Sequence, residues 1–562
     1  MKNLFVLLFV LQVVVAVVVN PLPKPISIEW VDQNYKSFNP HLSLSNSSPN
    51  SFVEDYFKTM LEVINRLQWY PEAIEGLRMS YEPVPTGPPT NSKRDDDLDE
   101  LKVNILDDAP LQYGVDESYT LEVSDRITIT ANTTWGALNG LKTLQQLVIY
   151  KDGRLIIEGS VKISDYPLYS HRGVLIDSAR NYLSLESIKE NIDIMAMAKL
   201  NTLHWHLSDT VSWPLEVKAY PQMINDAYSP EESYSQQDVS NLVKYAYARG
   251  VRIVPEIELA SHANAGWRLV DPKIISCGKG FWNVGDIATE PAPGQLDIAG
   301  NKTYEVAKTI FREVNQLFPD YTFHVGYDEL HKPCSDFSND VWEWYEQNGF
   351  GPAGSDEGYA SLVQYWTDRS FKFLSEDNTT QVMMWEDLIT NYAAKPPKQN
   401  SLIQVWLSVE SIKNITSKGY DVILSPYDQY YLDCGFGEWV TNNPKTAGSW
   451  CDPYKTWESL YRFDPMMNLT ESEVRHIKGA EVALWGEVVD SSNLVQKIWS
   501  RSAAFAEVYW SGNKDENGDI RVYDFTQRMF NFRQYLLALG YRVDPLAPQY
   551  CWRNPHACDI SI

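Results

Sequence analysis

The chain of 562 residues contains 48 basic and 74 acidic side chains, which gives a formal net charge of −26 and an isoelectric point near 4.8. This length leaves room for roughly two or three domains with a large core, and a hydrophobic content of 44% is that of a globular protein. The acidic balance excludes nucleic acid and anionic membranes from the expected partners.

Within the first 19 residues, an early lysine is followed by an apolar run from Leu4 to Val19, which only Gln12 interrupts. Such a run is typical of a secretory signal peptide, and neither it nor any later apolar run is long enough for a membrane span. We therefore predict a secreted protein, located outside the cell or in the periplasm or cell wall. Secretion is also indicated by six glycosylation sequons, at Asn46, Asn132, Asn301, Asn378, Asn414 and Asn468.

Residues 20–165 are predicted to form a small α+β domain, because helical and strand-like segments follow one another there. This part of the chain offers no catalytic constellation. The predicted helices cover residues 51–76 and 134–149, and the predicted strands cover residues 101–106, 119–123, 126–130 and 155–163.

A Pro-rich, acidic linker covers residues 82–100 and contains the dibasic pair Lys93-Arg94. Polar linkers of this kind tolerate nicking. We predict cleavage after Arg94, with the N-terminal piece remaining associated. A solvated and uncut loop is the alternative.

Strands and helices alternate from His171 onward, which predicts an α/β fold, a (β/α)₈ TIM barrel over residues 166–562. The length of this region implies long loops at the rim. The eight predicted strands are residues 174–176, 202–206, 251–257, 321–330, 382–385, 403–406, 421–424 and 481–485.

The fourth predicted strand ends in two adjacent acids, Asp328 and Glu329. Catalytic residues of TIM barrels lie where the strands end. Successive strand side chains face opposite ways, so both acids can reach one ligand only if the strand stops there. A solvated surface pair is the alternative, since such pairs are common.

The sequence from His324 to Glu329 resembles the His-x-Gly-Gly-Asp-Glu signature of family 20 glycoside hydrolases, the β-N-acetylhexosaminidases, and most closely their secreted fungal branch. The likeness covers most of the chain, and Tyr327 stands where the family usually has glycine. It implies an exo-acting, retaining enzyme that removes terminal GlcNAc, and in some members GalNAc, from chitin oligomers and glycoconjugates. No cofactor or metal is implied, and the 2-acetamido group of the substrate acts as the nucleophile.

The resemblance also implies roles for individual residues. Glu329 is the acid and base, and we expect burial and Asp328 to raise its pKa. Asp328 orients the acetamido group, and Asp209 and His262 support the acid. The implied substrate-binding residues are Arg172, Trp385, Trp406, Tyr431, Asp433, Trp485 and Glu487.

Three features leave alternatives open. Arg172 is as well explained by a salt bridge beside Asp177 as by a sugar contact. Tyr327 either lines the pocket or packs away from it. The stretch from Glu258 to Ser261 departs from the family pattern just before His262, so the shape of that turn is not predicted.

The six cysteines are even in number, as expected in an oxidising compartment, and their order alone leaves the pairing open. None has the C-x-x-C spacing of a zinc site. The resemblance implies a homodimer and the pairs Cys277–Cys334, Cys434–Cys451 and Cys551–Cys558.

Two other functions are alternatives to the hydrolase. A carbohydrate-binding relative without turnover is conceivable because of the departures at Tyr327, Ala260 and Ser261, but such a relative is expected to lose its acid, and Glu329 is retained. An endo-acting chitinase has no support in the motifs.

Overall fold

A computed structural model describes residues 20–47, 49–73, 97–352, 354–376, 380–440 and 448–559. The predicted leader at residues 1–19, the dibasic pair Lys93-Arg94 and the sequon at Asn378 lie outside these ranges.

The N-terminal part forms one mixed sheet. Its strands are β1 (Ser27–Trp30), β2 (Lys36–Asn46), β3 (Asp97–Ile105), β4 (Tyr119–Val123), β5 (Ile127–Ala131), β6 (Ile149–Lys151), β7 (Arg154–Ile157) and β8 (Val161–Asp165). They lie in the order β1-β8-β4-β5-β3-β2-β7-β6. Helices Ser51–Leu67 and Thr134–Leu147 pack against the sheet. Side chains of β4 alternate between buried and exposed, as they do in a sheet covered on one face.

Two N-terminal predictions were wrong. The single strand at residues 155–163 is two strands, because β7 pairs with β2 and β6 whereas β8 pairs with β1 and β4 elsewhere in the sheet. The first helix ends at Leu67 rather than residue 76, since Gln68 adopts a left-handed conformation with φ of 45°. The sequence analysis also missed β1, β2 and β6.

The rest of the chain forms a closed parallel barrel, so the predicted (β/α)₈ fold behind an α+β domain is confirmed. Its strands β10 and β11 are buried throughout, as expected of strands covered on both faces. The strands are β9 (His171–Asp177), β10 (Thr202–His206), β11 (Arg252–Glu256), β12 (Thr322–His324), β13 (Gln381–Trp385), β14 (Ser401–Val405), β15 (Asp421–Leu424) and β16 (Ile477–Leu484).

Helices surround the barrel, and the last two of them lie near the C-terminal end of the described residues. The longer ones are Leu185–Met197, Gln236–Tyr247, Asn301–Asn315, Asn339–Gln347, Asp356–Leu374, Val409–Thr416, Ser502–Ser511 and Val522–Leu539. Short α-helices cover Trp267–Val270, Lys332–Ser335, Asp387–Thr390, Tyr427–Tyr430, Trp457–Arg462, Glu471–Val474, Leu494–Ile498 and Gln549–Arg553. Single 3₁₀ turns cover Met223–Asp226, Pro272–Ile274 and Lys398–Asn400.

The cysteines form Cys277–Cys334, Cys434–Cys451 and Cys551–Cys558, the same pairs that the resemblance implies. Asn46 is half-buried, and the sequon asparagines Asn132, Asn301, Asn414 and Asn468 are exposed. Within the described ranges, none of the helices combines the length and the apolar character needed to cross a membrane.

Arg172 does not reach the rim, which corrects the sugar-binding role implied for it. It is the second residue of β9 and therefore lies at the opposite end of the barrel, fully buried. Its guanidinium donates to Glu117 Oε1 at 2.8 Å and to the carbonyl oxygens of Tyr169 and Lys199. Because Glu117 precedes β4, this pair joins the barrel to the N-terminal sheet.

Replacing Arg172 tests this structural role. We expect Arg172→Met to lower the free energy of unfolding by about 3–5 kcal/mol, because Glu117 loses its buried partner. Arg312→Met is the matched control, since Arg312 pairs with Glu376 on the surface, and we expect a loss of about 1 kcal/mol or less. Denaturant unfolding measures both, and equal effects would contradict the assignment.

Candidate active site

A cavity of about 260 Å³ opens at the end of the barrel where the strands finish. In barrels of this class the loops after the strands supply the catalytic residues. The cavity is lined by Arg180, His262, Thr289, Glu290, Asp328, Glu329, Trp385, Trp406, Tyr431, Asp433, Glu438, Trp439, Val440, Trp450, Trp485 and Glu487.

The structure brings most of the predicted site residues together here. Asp209 lies behind the cavity, with its Oδ2 atom 3.2 Å from His262 Nδ1. Arg172 is absent from the site, and Arg180, three residues beyond the end of β9, lines it instead. The predicted residues that line the cavity are His262, Asp328, Glu329, Trp385, Trp406, Tyr431, Asp433, Trp485 and Glu487.

Asp328 and Glu329 both reach the cavity because β12 ends at His324. Beyond it, Gly326, Tyr327 and Glu329 have φ angles of +67°, +75° and +47°. This left-handed backbone breaks the alternation of a strand, so that neighbouring side chains need not face opposite ways.

Tyr327 packs away from the cavity, which settles the alternative left open by the sequence. Its side chain is fully buried, and its hydroxyl donates to Ser370 Oγ at 2.6 Å. The departure from the family glycine therefore fills the core behind the acids and takes no space from the cavity.

Gly326 is required by a close approach to Glu258. A Cβ atom at Gly326 would lie 1.9 Å from Glu258 Oε2. Glu258 is buried, and neither of its carboxyl oxygens has a hydrogen-bond partner among the described residues. Burial, and to a lesser extent the neighbouring Asp328, raise the pKa of Glu258 well above its ordinary value.

His262 lies between the acids and Asp209. Its Nε2 atom is 3.2 Å from Glu329 Oε2 and 3.6 Å from Asp328 Oδ2, while Nδ1 faces Asp209. Burial alone would lower the pKa of His262, but the charges of Asp209 and Asp328 raise it well above its ordinary value. The ring is therefore an imidazolium held between carboxylates.

The two acids titrate differently, and the expectation of a raised pKa for Glu329 was wrong. Burial raises the pKa of Asp328 to about 7, although His262 opposes this rise. Burial also acts on Glu329, but the hydrogen bond and the charge of His262 outweigh it and lower the pKa of Glu329. Asp328 is therefore the member of the pair with the higher pKa.

Arg180 was missed by the sequence analysis, although it follows closely on a strand that ends in an acid. Its guanidinium contacts Asp177 at 3.2 Å, Asp209 at 3.1 Å and Glu290 at 2.7 Å. The oxygens of Asp209 and Glu290 lie close enough to His262 to suggest a cation site. The guanidinium already occupies the space between these acids and supplies the positive charge.

Aromatic side chains form the walls of the cavity. The ring centroids of Trp385 and Trp485 lie 5.8 Å apart, and Trp406 stacks on Tyr431 at 6.3 Å. Tyr431 also meets Trp485 edge-on at 6.2 Å. This enclosure suits a small group with an apolar part, such as a methyl group.

Asp387 is a second residue that the sequence analysis missed. Its Oδ2 accepts a hydrogen bond from Trp406 Nε1 at 2.7 Å, and its Oδ1 accepts from the backbone N–H of Glu329 at 3.2 Å. It therefore fixes one aromatic wall relative to the acid. Its place two residues after the strand end at Trp385 was the available signal.

The barrel, the paired acids and the aromatic cavity define an enzyme that acts on carbohydrate. A family model described as "Glycosyl hydrolase family 20, catalytic domain" matches residues 169–513, and one described as "beta-acetyl hexosaminidase like" matches residues 21–147. The chain belongs to glycosyl hydrolase family 20 and is a glycoside hydrolase, as the resemblance predicted.

Relatives in other organisms agree with this assignment. The chain is 42% identical to a β-hexosaminidase of Emericella nidulans over 99% of this chain and 98% of that one. It is 35% identical to a chitooligosaccharidolytic β-N-acetylglucosaminidase of Bombyx mori over 79% and 75%. The X-ray structure of a chitobiase from Flavobacterium johnsoniae superposes with a TM-score of 0.73 at 26% identity, over 93% of this chain and 73% of that one.

The close approach at Gly326 yields a prediction. We expect Gly326→Ala to reduce kcat/KM by about 100-fold or more, because the new methyl group displaces Glu258 and with it the turn that carries the acids. Gly349→Ala is the control: Gly349 has φ of +81°, but a Cβ atom there meets nothing within 4 Å. Steady-state kinetics of the folded variants decide, and comparable activity in both would contradict the argument.

Proposed function

We propose that the protein is an exo-acting, retaining β-N-acetylhexosaminidase that removes terminal GlcNAc or GalNAc residues by substrate-assisted catalysis. The observation that carries this proposal is that Asp328 and Glu329 lie on one side of the cavity, both near the same His262 nitrogen. A retaining enzyme with its own nucleophile needs two carboxyl groups on opposite sides of the bond.

Three other half-buried carboxyl groups of the cavity are poor candidates for that nucleophile. Burial raises the pKa of Glu290, and it raises the pKa of Asp433 to about 6. Burial also raises the pKa of Glu487 well above its ordinary value. A raised pKa favours the protonated form, which is a weak nucleophile but can both donate and accept hydrogen bonds, so Asp433 and Glu487 suit the hydroxyl groups of the sugar.

The substrate supplies the nucleophile in this mechanism. The tryptophan walls hold the methyl of the 2-acetamido group, Tyr431 donates to its carbonyl oxygen, and Asp328 accepts from its N–H. The carbonyl oxygen then attacks the anomeric carbon while Glu329 protonates the leaving oxygen, and a cyclic oxazolinium ion forms. The negative charge of Asp328 stabilises the positive charge that develops on the acetamido nitrogen.

The proton needed for this step is already in the site. Asp328 holds it as the side chains stand, whereas catalysis requires it on Glu329. His262 Nε2 lies within 3.6 Å of both acids, so the imidazolium can give its proton to Glu329 and take one from Asp328. Ionised Asp328 is then ready for the acetamido N–H, and the total charge is unchanged.

Glu329 completes the reaction as a base. It takes a proton from water, and this water opens the oxazolinium ring at the anomeric carbon. Two displacements at one carbon leave the configuration retained. Chitin oligomers suit the cavity because the exposed Trp439 and Trp450 at its mouth offer flat faces to a following sugar.

A carbohydrate-binding relative without turnover is not favoured, because Glu329, His262 and Asp209 are all present and in contact. The proposal also includes secretion after removal of residues 1–19, cleavage after Arg94, glycosylation at the sequons and a homodimer. Three disulfides support an oxidising compartment. N-terminal sequencing and light scattering of the secreted protein test these parts.

Dependence on the acetamido group is the first test of the mechanism. We expect an aryl N-acetylglucosaminide to be hydrolysed at least about 1,000-fold faster than the glucoside with the same leaving group, since the glucoside lacks the internal nucleophile. A thiazoline that mimics the cyclic intermediate should inhibit strongly. Parallel assays with the GalNAc substrate define the sugar preference, and equal rates on glucoside and N-acetylglucosaminide would refute the mechanism.

The shared proton predicts a pH profile. The pair holds one proton up to the pKa of Asp328, so kcat/KM should fall above about pH 7. In Asp328→Asn only Glu329 remains to titrate, with its lowered pKa. The alkaline limb should therefore move to lower pH, and the maximal rate should fall by about 100- to 1,000-fold.

Glu438→Gln is the control for this profile, because Glu438 lines the same cavity but does not belong to the pair. Glu438→Gln should leave the alkaline limb of the kcat/KM profile at the same pH as in the wild type. An unchanged limb in Asp328→Asn would show that another group sets it.

A further inference from the structure

We propose that Glu256, which does not line the cavity, is a positioning residue that couples the tryptophan cage to the catalytic acid Glu329. The cage consists of the cavity walls formed by Trp385, Trp406 and Trp485. This inference rests on the proposed function and adds a residue and a connection to it. Glu256 is the last residue of β11 and is fully buried in the barrel interior.

One carboxylate oxygen of Glu256 is hydrogen-bonded to a tryptophan of the cage. Its Oε1 accepts a hydrogen bond from Trp385 Nε1 at 2.8 Å and lies 2.7 Å from His324 Nδ1. Trp385 is a wall of the cavity, and its ring also packs edge-on against His324 at 5.1 Å. A hydrogen bond from inside the barrel therefore orients this wall, in addition to its packing against Trp485 at the rim.

The other carboxylate oxygen of Glu256 contacts the first of a series of ionisable side chains that leads to Glu329. Glu256 Oε2 accepts from His206 Nδ1 at 2.8 Å, and His206 Nε2 lies 3.3 Å from Asp209 Oδ2. Asp209 in turn contacts His262, which contacts Glu329. Carboxylates and imidazole rings alternate along the whole path.

The charge states fit this alternation. Burial alone would lower the pKa of His206, but Glu256 and Asp209 raise it to about 10. Burial opposes ionisation of Glu256, and the surrounding histidines nevertheless hold its pKa well below the ordinary value. Each imidazolium is thus stabilised by a carboxylate on either side, and removing one charge disturbs both neighbours.

Glu481 provides a matched control inside the same barrel. It is equally buried and bonds to His171 at 2.6 Å and His204 at 2.8 Å. In the part of the chain that the structure describes, none of its direct hydrogen-bond partners lines the cavity. Glu481 reaches Glu256 through His204, whose Nε2 atom lies 3.1 Å from Glu256 Oε2, and is therefore one residue farther from the cavity. Glu256→Gln and Glu481→Gln each remove one buried charge, but only Glu256 bonds directly to Trp385 and to His206, the first residue of the chain to Glu329.

The experiment measures two properties in both variants of the full-length protein. The first is the dissociation constant of the thiazoline, which is sensitive to the position of the tryptophan side chains of the cage. The second is the dependence of kcat/KM on the pKa of the aryl leaving group, which reports proton donation by Glu329.

We expect Glu256→Gln to weaken thiazoline binding by about 10-fold or more and to reduce kcat/KM by about 100-fold for poor leaving groups, but less for activated ones. Glu481→Gln should change both properties by less than about three-fold while losing thermal stability. Equal kinetic effects of the two variants would overturn the proposal. The dependence of the wild-type rate on the acetamido group of the substrate is measured separately. A failure of the proposed function can therefore be distinguished from a failure of this inference.

A second pair of variants keeps the test decisive if Glu256→Gln does not fold. Trp385→Phe and Trp485→Phe both retain an aromatic wall, but only Trp385 donates to Glu256. Coupling predicts that Trp385→Phe steepens the leaving-group dependence at least about two-fold more than Trp485→Phe does. Identical slopes in these two variants would overturn the proposal.

Discussion

The site depends on one electrostatic constraint, the pairing of buried charges. An isolated ion in a protein interior costs several kcal/mol, and opposite charges at hydrogen-bond distance offset that cost. Carboxylates and imidazole rings therefore alternate from the barrel interior to the cavity, through Glu256, His206, Asp209, His262 and Glu329. The position and the ionisation of Glu329 both follow from this alternation.

The same pairing of charges explains why Asp328 and Glu329 differ in pKa. Glu329 faces the imidazolium of His262 most closely and is the stronger acid, whereas Asp328 lies slightly farther away and keeps the proton. In the proposed mechanism a substrate amide changes this balance, because its N–H donates a hydrogen bond to Asp328. Binding thus favours the proton distribution that catalysis needs, without any net uptake of charge.

Patterns of hydrophobicity predicted the barrel well, because buried parallel strands are short apolar runs between helices. The strands at residues 202–206 and 421–424 were predicted with their observed bounds. Individual functional roles were harder to predict. Arg172 and Arg180 flank the same strand, and only the direction of β9 shows that the first lies at the floor and the second at the rim.

Properties that arise from three-dimensional neighbours were not predictable from the sequence. The lowered pKa of Glu329 depends on an imidazolium that is distant in sequence, and the burial of Tyr327 depends on Ser370 in a helix of the barrel. Asp387 received no role because its partners, Trp406 and the backbone of Glu329, meet it only in the folded barrel. The order of the motifs predicted most of the residues that meet at the cavity, whereas their contacts and pKa values depend on packing in the folded chain.

The central claim is that the substrate, and not the protein, provides the nucleophile. Mass spectrometry of the intact protein, quenched during turnover of an activated N-acetylglucosaminide, tests it most directly. The account predicts only the unmodified protein mass, because the cyclic intermediate is never bonded to the chain. A covalent sugar found on Asp328, Glu329 or any other carboxyl group of the cavity would contradict it.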